Sequence, residues 1–433
     1  MKQFFTLTSA FLFILNLTQA QPIIVGQGFV NGLIGVDVDA DGNVWVTESG
    51  AGNDDGKVSI IAPDGSVATF MTGLPSALNP ATGEIAGSTR TWQLPDNKVA
   101  VLVGEGPHPQ GEALLIVDKG DYSPGSPLDL TDVEQTMKFG TFVHDQGLPQ
   151  SNPYNIYWDE NGDMYIADAG ADAIVKYEVA TEQLSFFAEL PGVSNPTPVG
   201  PPVTDAVPTD IVPKRDHSGY YVCQLTGFPF LDGAATIYDV DLNGNLTPWQ
   251  TGFTLLTDMG YDPRDSNLCV LQFSQFGFIN DSTLNFFPGA GKVIKVFSDG
   301  SQEVLADGFI GLAPSFTFDA AGDLYVSDLF GFIYKYDLPS GTRENNLKSI
   351  QTTVFPNPAA SQANFRFDLE NTADVQLNIY NMHGQRVASV DAGTLLAGEQ
   401  QISWNTEGVP TGTYLYHLLV DGYVSAGLLQ VEK

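Results

Sequence analysis

Residues 34–49 read IGVDVDADGNVWVTES, and the pattern returns at 154–169 (YNIYWDENGDMYIADA) and at 314–329 (PSFTFDAAGDLYVSDL). Each copy has a short alternating stretch, a turn built from Asp, Asn, Ala or Gly, and a second, mostly apolar stretch. Two strands joined by such a turn are typical of a β-hairpin. More diverged copies lie at 88–104, 209–225 and 257–273. The chain is therefore predicted to contain six related hairpins.

A second hairpin follows most of these copies. It is visible at 56–74, 173–190, 235–253 and 291–309. One unit then has four antiparallel strands, and six such units predict an all-β, six-bladed β-propeller. The last unit lacks its fourth strand, but PIIVGQGFVNGL (22–33) resembles EVLADGFIGLA (303–313). The N-terminal strand is therefore expected to complete the last blade, close the ring and leave no unpaired edge.

The residues of the first hairpin also match the pattern of a calcium-binding loop. Asp37, Asp39, Asp41, Gly42 and Glu48 have the spacing of an EF-hand. An EF-hand requires flanking helices, whereas strands are predicted here. The turn persists among the copies while the acidic pattern does not. The hairpin interpretation is therefore favoured over the EF-hand.

Polar residues recur where the second strand of each unit ends. With residues at the start of the innermost strands, they are expected to surround the axis at one face. Carboxylates in such a ring suit a cation, so a calcium site is predicted at Glu48, Asp168, Asp258 and Asp328. Amide and carboxyl groups predicted to bind a polar ligand at the same face are Asn155, Asp210, Gln224 and Gln272. The alternative is a water-filled polar pore without a ligand.

The sequence contains no HExxH motif, no G-x-S-x-G elbow and no P-loop. His108, in the loop GEGPHPQGE (104–112), is the candidate for an acid–base role, with an ordinary loop histidine as the alternative. The prediction is a non-enzymatic binding or assembly module that needs no cofactor. The alternative is a calcium-dependent lactonase- or lyase-like hydrolase with its site at the axis.

The composition limits the partners. The chain has 433 residues, with 18 basic and 51 acidic side chains and a net charge of −33. Such a surface disfavours nucleic acid and anionic membranes. Residues 1–20 read as a secretory signal peptide, and no later apolar run is long enough to span a bilayer. Cys223 and Cys269 are the two cysteines of the chain, and whether they pair is left open.

A separate module ends the chain. The propeller is predicted over 21–340, followed by a polar linker over 341–353. Residues 354–433 show alternating strands separated by Gly, Pro and Asn turns, which predicts a small β-sandwich.

Two resemblances add to these predictions. The stretches SNPYNI (151–156), VPTDIV (207–212), QLTGFPFLDGAATIYDVD (224–241) and TGFTLLTDMGYDP (251–263) resemble the ScyD/ScyE family of exported propellers. That resemblance covers about 22–340. It implies an exported six-bladed propeller with NHL-like repeats, and it supplies no established catalytic residue.

The C-terminal module resembles the type A sorting domain of the Bacteroidetes type IX secretion system. The residues that carry this resemblance are Pro356-Asn357-Pro358, IYNMHGQRV (379–387) and GVPTGTYLYHL (408–418). It implies that the module is a partner of the type IX machinery and that the protein is secreted or held at the outer cell surface. The partner of the propeller is expected to be a small molecule, a glycan or a protein.

Overall fold

The structure, a computed structural model, describes residues 22–29, 32–79, 85–278, 284–309, 311–338, 350, 352–381, 385–421 and 423–432. The predicted signal peptide and most of the predicted linker lie outside these ranges. The prediction of an all-β fold is confirmed. Helix in the described chain is limited to α1 (Phe139–Asp145) and two single 3₁₀ turns, Lys119–Asp121 and Leu130–Asp132. None of these described helices has the length and apolar character needed to cross a membrane.

Six antiparallel sheets follow one another over 22–338 in the described chain. The first strand, β1 (Ile23–Gln27), joins the sixth sheet. The first sheet contains β2 (Leu33–Val38), β3 (Val44–Glu48), β4 (Gly56–Ile61) and β5 (Val67–Leu74). The second contains β6 (Ser76–Leu78), β7 (Ile85–Gln93), β8 (Lys98–Val103), β9 (Ala113–Asp118) and β10 (Val133–Lys138). The third contains β11 (Pro153–Trp158), β12 (Met164–Asp168), β13 (Ala173–Glu178) and β14 (Gln183–Glu189).

A short ladder of β15 (Val193–Ser194) and β16 (Val203–Thr204) precedes the fourth sheet. That sheet contains β17 (Pro208–Pro213), β18 (Gly219–Gln224), β19 (Ala235–Asp241) and β20 (Leu246–Phe253). The fifth contains β21 (Leu256–Tyr261) and β22 (Leu268–Gln272), then, after an inserted hairpin of β23 (Phe276–Phe278) and β24 (Leu284–Phe286), β25 (Lys292–Val296) and β26 (Gln302–Asp307). The sixth contains β27 (Phe316–Phe318), β28 (Leu324–Asp328), β29 (Phe332–Tyr336) and β1.

The sequence DVDADGNVWVTE (37–48) forms the hairpin between β2 and β3. Asp39 Oδ1 accepts hydrogen bonds from the backbone N–H groups of Asp41 (3.0 Å) and Asn43 (2.9 Å). Gly42 takes a φ of 80°, which a residue without Cβ adopts at no steric cost. Glu48 pairs with Leu33 at the other end of the hairpin. These residues therefore form the β-hairpin that the sequence predicted.

The strands that begin the six hairpins, here called the inner strands, are β2, β7, β11, β17, β21 and β27. Each contacts the next in this order, and β27 contacts β2. The hydrophobic core is divided in the same way, since six clusters of buried side chains each bridge two successive sheets. In one of them, Val36 and Val46 of the first sheet pack with Tyr325 and Ile333 of the sixth. Burial between sheets, together with pairing within each, therefore holds the inner strands around one centre.

The N-terminal strand β1 pairs antiparallel with β29, which makes it the fourth strand of the sixth sheet. Its other edge meets β36 (Tyr423–Val431) of the C-terminal module at the pair Ile23 and Tyr423. The backbone N–H of Val424 also donates to the carbonyl of Pro22 at 3.1 Å. The two parts of the chain thus share one extended sheet.

The C-terminal module has two sheets that pack on a shared core. One contains β30 (Thr353–Phe355), β31 (Gln362–Leu369) and β34 (Gly398–Asn405), and the other contains β32 (Ala373–Asn381), β33 (Arg386–Leu395), β35 (Gly412–Val420) and β36 (Tyr423–Val431). Phe365 and Trp404 from the first sheet lie in the same cluster as Leu377 and Tyr416 from the second. Large apolar side chains at alternate strand positions therefore account for this core.

The two cysteines occupy successive sheets, Cys223 in β18 and Cys269 in β22. Both are buried and neither is in a disulfide. Pairing, which the sequence left open, is absent between these two described residues.

Candidate functional site

The inner strands place one residue each at the same register. In five of them a β-bulge precedes this position, and a bulge redirects the side chain that follows it. In the sixth sheet the backbone carbonyl of Ser315 accepts from Ser327 N–H, which sets the equivalent position. The six residues are Gly35, Arg90, Asn155, Asp210, Asp258 and Ser315.

Arg90 and Asp258 form a buried ion pair between the second and fifth sheets. Arg90 Nη2 lies 3.1 Å from Asp258 Oδ2, and each of the two side chains is less than one-tenth exposed. Arg90 Nη1 also donates to the hydroxyl of Ser315 in the sixth sheet. Asp258 Oδ2 accepts from the Ser315 hydroxyl at 3.0 Å and from Phe316 N–H at 2.8 Å. The guanidinium therefore connects three inner strands.

Asp210 holds the third, fourth and fifth sheets together in a similar way. Its Oδ1 accepts from Asn155 Nδ2 at 2.7 Å, and its Oδ2 accepts from Met259 N–H at 2.7 Å. Burial, and then the nearby Asp258 carboxylate, raise the pKa of Asp210 well above its usual range. Burial and the neighbouring carboxylate therefore disfavour the anionic form of Asp210, and Asp258 is the carboxylate that lies opposite Arg90.

Tyr154 adds a contact between sheets beside this network. Its hydroxyl donates to the carbonyl of Pro314 at 3.4 Å, which links the third sheet to the sixth. The Arg90 guanidinium carbon lies 5.7 Å from the centroid of the Tyr154 ring. Arg90 lines the cavity described next, whereas Tyr154 does not.

A cavity of about 220 Å³ lies at the centre of the inner strands. It is here called the axial cavity. Its charged and polar lining comprises Asp37, Thr47, Arg90, Thr91, Asn155, Asp210, Asp258 and Thr317, and its aromatic lining comprises Trp45, Trp92, Tyr157 and Phe316. Asp37, Trp92, Tyr157 and Thr317 come from the ends of their inner strands next to the first hairpin turns. The cavity therefore lies toward the face that carries those turns.

Asp37 differs from the other two carboxylates of the axial cavity. Its Oδ1 accepts from its neighbour Val38 N–H at 2.9 Å and lies 3.5 Å from the Thr317 hydroxyl. Burial raises the pKa of Asp37 to about 6, against the hydrogen bond from Val38 and the charge of Arg90. Asp37 therefore lines the cavity with an oxygen that is free to accept a hydrogen bond. The oxygens of Asp210 and Asp258 already accept hydrogen bonds from the protein.

The carboxylates predicted to bind calcium are not brought together. Asp258 lines the axial cavity, but Glu48, Asp168 and Asp328 do not. Asp168 accepts from the Ser151 hydroxyl (2.6 Å) and from Asn152 N–H (2.7 Å) in its own sheet. Asp328 likewise accepts from the Gly311 (2.6 Å) and Phe330 (2.7 Å) N–H groups. These side chains turn back onto their own loops because buried backbone N–H groups there need acceptors.

Glu48 is also held within its own sheet, where Oε1 lies 3.2 Å from Nζ of Lys57. Within the described ranges, no group of three or more His, Cys, Asp or Glu side chains is arranged to hold a metal ion. The described residues therefore form no ready-made calcium site, and calcium binding stays a prediction.

The four residues predicted to bind a polar ligand divide into two pairs. Asn155 and Asp210 line the axial cavity. Gln224 and Gln272 do not, and instead donate to the carbonyls of Ala234 (3.5 Å) and Ala290 (3.0 Å) in the loops that follow them. The predicted ring thus mixes a set that lines the axial cavity with a set that ties the loops after the second strands.

His108 lies in a second cavity, of about 440 Å³, formed by the loop after β8 and by α1. Its Nδ1 accepts from Gln110 N–H at 3.0 Å. The same cavity contains His144, whose Nε2 lies 2.9 Å from Glu112 Oε2. The backbone carbonyl of Leu148 and the Glu112 carboxylate raise the pKa of His144. Among the described residues His108 has no such carboxylate partner, so the structure gives it no activating group.

Two charged residues of the axial cavity, Arg90 and Asp37, were not among the predicted site residues. Arg90 is a single cationic residue within an otherwise uncharged strand, STRTWQ (88–93). A lone buried Arg requires an acidic partner, so that position was a usable signal. Asp37 was considered only as part of a calcium loop, and its place at the centre depends on the register of β2.

Comparison with known families identifies the C-terminal module. Residues 353–426 match the family model described as a secretion system C-terminal sorting domain. A search of curated protein sequences found no significant match.

Three solved structures show a distant likeness. A catalytically inactive virginiamycin B lyase from Staphylococcus aureus, with quinupristin, is 15% identical, with 74% of this chain and 99% of that chain covered and a TM-score of 0.42. A family 32 glycoside hydrolase from Bifidobacterium adolescentis is 10% identical, covering 96% and 78%, with a TM-score of 0.32. A tail fibre of a Staphylococcus aureus phage is 9% identical, covering 95% and 96%, with a TM-score of 0.20. None of these similarities is close enough to indicate an activity.

The matched module decides the destination of the protein. A sorting domain of the type IX secretion system directs its protein out of the cell, so the prediction of localisation is confirmed. The chain carries a type IX sorting domain at residues 353–426 and is exported to the cell surface or secreted.

Proposed function

We propose that the exported part of the protein is a closed six-bladed β-propeller of the ScyD/ScyE type that binds a small polar ligand in its axial cavity and catalyses no reaction. Closure is supported by the successive contacts of the inner strands and by the cluster that joins the first and sixth sheets. The sorting module would deliver this binding site to the outside of the cell.

One observation carries the proposal. The axial cavity is lined by polar and charged side chains and contains one carboxylate, Asp37, that the surrounding side chains leave largely unused. Ligand sites are commonly concave, with a few convergent polar groups on a largely apolar wall. At about 220 Å³ the cavity is smaller than the pockets of roughly 300–1,000 Å³ that hold drug-sized molecules. The ligand is therefore a small molecule.

A binding role suits the chemistry of this cavity better than catalysis. The buried pair of Arg90 and Asp258 is already neutralised, and both oxygens of Asp210 accept hydrogen bonds. A general base needs a carboxylate or imidazole within reach of a substrate proton. In the axial cavity Asp37 is a lone candidate without a partner of complementary role.

The experiment is a thermal-shift screen of the full exported chain against small metabolites of positive, negative and zero charge. A matched pair of variants tests the place of binding. Thr317→Tyr fills the axial cavity, and Tyr157 and Trp92 show that the equivalent positions of two other sheets accommodate a large ring. Thr251→Tyr makes the same change at an exposed position on the outer strand β20.

A ligand that stabilises the parent and Thr251→Tyr but not Thr317→Tyr would support the proposal. Equal stabilisation of all three proteins would place the site elsewhere. No stabilisation by any compound of any charge would contradict the proposed function.

A further inference from the structure

We infer that the ligand of the axial cavity is a small organic ammonium ion, held by the carboxylate of Asp37 and by the aromatic wall beside it. This inference rests on the proposed function and specifies its ligand.

The first argument is the unused acceptor. Asp37 Oδ2 accepts no hydrogen bond from the described residues, and Oδ1 has one short bond, from the adjacent Val38 N–H. By contrast, Asp258 accepts from Ser315, Phe316 and Met259. A half-buried carboxylate without a donor favours a ligand that brings N–H or a positive charge.

The second argument is the balance of charge in the wall. Arg90 is the one cationic side chain in the described lining, and it is committed to Asp258. Its pairing leaves Asp37 without a counter-ion among the residues that line the cavity. An anionic ligand would have to approach both Asp37 and Asp258, which disfavours it.

The third argument is the aromatic part of the wall. Trp92 and Tyr157 line the same cavity as Asp37. Trp45 also lines it, but Lys119 Nζ already lies 5.2 Å from the centroid of its ring. Indole and phenol rings attract organic cations through their π-electron faces, and a carboxylate beside such rings is a suitable environment for an alkylammonium group. Thr317 adds a hydroxyl next to Asp37 for a polar end of the ligand.

The fourth argument is the field around the opening. The six turns that join the inner strands to their partners lie at 39–43, 94–97, 159–163, 214–218, 262–266 and 319–323. Together they contain eleven acidic and three basic residues. Lys176, Lys295 and Lys335 of the adjoining strands pair with carboxylates in three of these turns, so a smaller acidic excess remains. A concave site surrounded by one sign of charge raises the local concentration of ions of the opposite sign. The excess of acidic residues therefore favours entry of a cation.

A metal ion fits the same charge less well. Calcium takes about six to eight oxygen ligands, whereas Asp37 is a single carboxylate. No three acidic, His or Cys side chains of the described residues are arranged for a metal. An ammonium ion needs fewer donors and gains from the aromatic wall, which a metal ion would not.

Protonation of Asp37 gives the inference a second readout. Burial raises the pKa of Asp37 to about 6, and the charged groups that act on it are Arg90 and Asp39, with Asp210 and Asp258 further along the wall. An ammonium ion binds the ionised form. The affinity is therefore expected to rise about tenfold between pH 5 and pH 7 and to level off above that.

The test is isothermal titration of the full exported chain with choline, with ethanolamine and with 3,3-dimethylbutan-1-ol, the uncharged carbon analogue of choline. At least one of the two cations is expected to bind, and the uncharged analogue is expected not to. Asp37→Asn should weaken cation binding by about 10- to 100-fold, the range for loss of a charge-assisted hydrogen bond. Asp41→Asn removes the same charge from an exposed position of the same turn and should leave the affinity within about twofold of the parent.

Each outcome separates this inference from the proposed function. Cation binding that is lost in Asp37→Asn and kept in Asp41→Asn supports both. A neutral or anionic compound that binds in the axial cavity, judged by its loss in Thr317→Tyr, overturns the ammonium ligand and leaves the proposed function intact. If neither the three probes nor any compound of the screen binds, both are overturned. Cation binding with no dependence on Asp37 or on pH also overturns the inference.

Discussion

Arg90 of the second sheet and Asp258 of the fifth lie 3.1 Å apart, Nη2 to Oδ2, at the centre of the six inner strands. Neither side chain has a comparable partner on its own sheet. Removing one member of a buried ion pair leaves the other charged and without compensation, which is more costly than replacing both. This pair therefore joins sheets that are distant in the sequence.

Asp258→Ala is expected to lower the free energy of unfolding by about 3–5 kcal/mol, because it leaves the Arg90 guanidinium buried without an anion. The double variant Arg90→Met/Asp258→Leu should recover most of that loss. Urea unfolding monitored by circular dichroism would measure both. Glu134→Ala, which removes an exposed partner of Lys98, is the control and should change little. A single variant as stable as the parent would show that the pair is not formed.

Asp39→Ala should lower stability by about 1–3 kcal/mol, since the carboxylate accepts from two backbone N–H groups of the turn and from Trp45 Nε1 at 2.9 Å. Asp41→Ala in the same turn is the matched control, because its side chain is exposed. Both melting temperatures are expected to be the same in millimolar calcium as in chelator. A calcium-dependent rise that Asp39→Ala or Glu48→Ala abolishes would revive the calcium prediction.

Because His417 is buried, the stability of the C-terminal module is expected to depend on pH. The side chain is fully buried between Phe332 and Tyr380, and neither ring nitrogen has a hydrogen-bond partner in the described residues. Burial lowers the pKa of His417 to about 3, below the value of about 6.5 expected in the unfolded chain.

Below pH 6.5 the unfolded chain therefore binds a proton that the folded chain does not. The contribution of His417 to stability is present above pH 6.5 and is lost at up to about 1.4 kcal/mol per unit as the pH falls toward 3. His417→Phe should remove this slope. Hydrogen exchange of residues 412–431 at pH 4.5 and pH 7 would report it, and equal pH dependence in the variant and the parent would contradict it.

Loss of the Asp168 carboxylate is expected to loosen only the loops that donate hydrogen bonds to it, outside the axial cavity. Asp168→Ala removes the acceptor of the Ser151 hydroxyl and of the Asn152, Gly170 and Ala171 N–H groups. Faster hydrogen exchange is expected over 149–152 and 170–172, with ligand affinity in the axial cavity unchanged. Asp168→Asn keeps an acceptor oxygen and should lie between Ala and the parent. Loss of ligand binding in Asp168→Ala without change in these loops would mean that the two ends are one site.

Much of the local structure was predictable because hairpins leave a local signal. The Asp-x-x-Gly turns with alternating flanks predicted the first two strands of the sheets, and residues 22–33 predicted that β1 would join the sixth sheet, as its pairing with β29 shows. The strands of the sorting module were equally predictable, since its turns and alternating pattern lie within residues 354–433 alone. Periodicity of this kind needs no knowledge of distant contacts.

The candidate site was predicted only in part. Asn155, Asp210 and Asp258 line the axial cavity. From the sequence, Glu48, Asp168, Gln224 and Gln272 were grouped with them, and these residues do not line it. All of these residues lie near the same end of the hairpins in the alignment. A bulge separates the two sets in space, since an extra residue in one strand changes which side chain faces the centre.

The sequence by itself determined the order of the hairpins, the strand that completes the sixth sheet and the export address, because each depends on residues that are neighbours along the chain. Only the tertiary structure decided that Arg90 meets Asp258, that Asp37 faces the axial cavity and that Asp168 and Asp328 turn away from it. Those relationships depend on bulge positions and on contacts between sheets far apart in the sequence. A buried charge takes whichever partner the packed sheets bring within reach, and no local pattern in the chain records that choice.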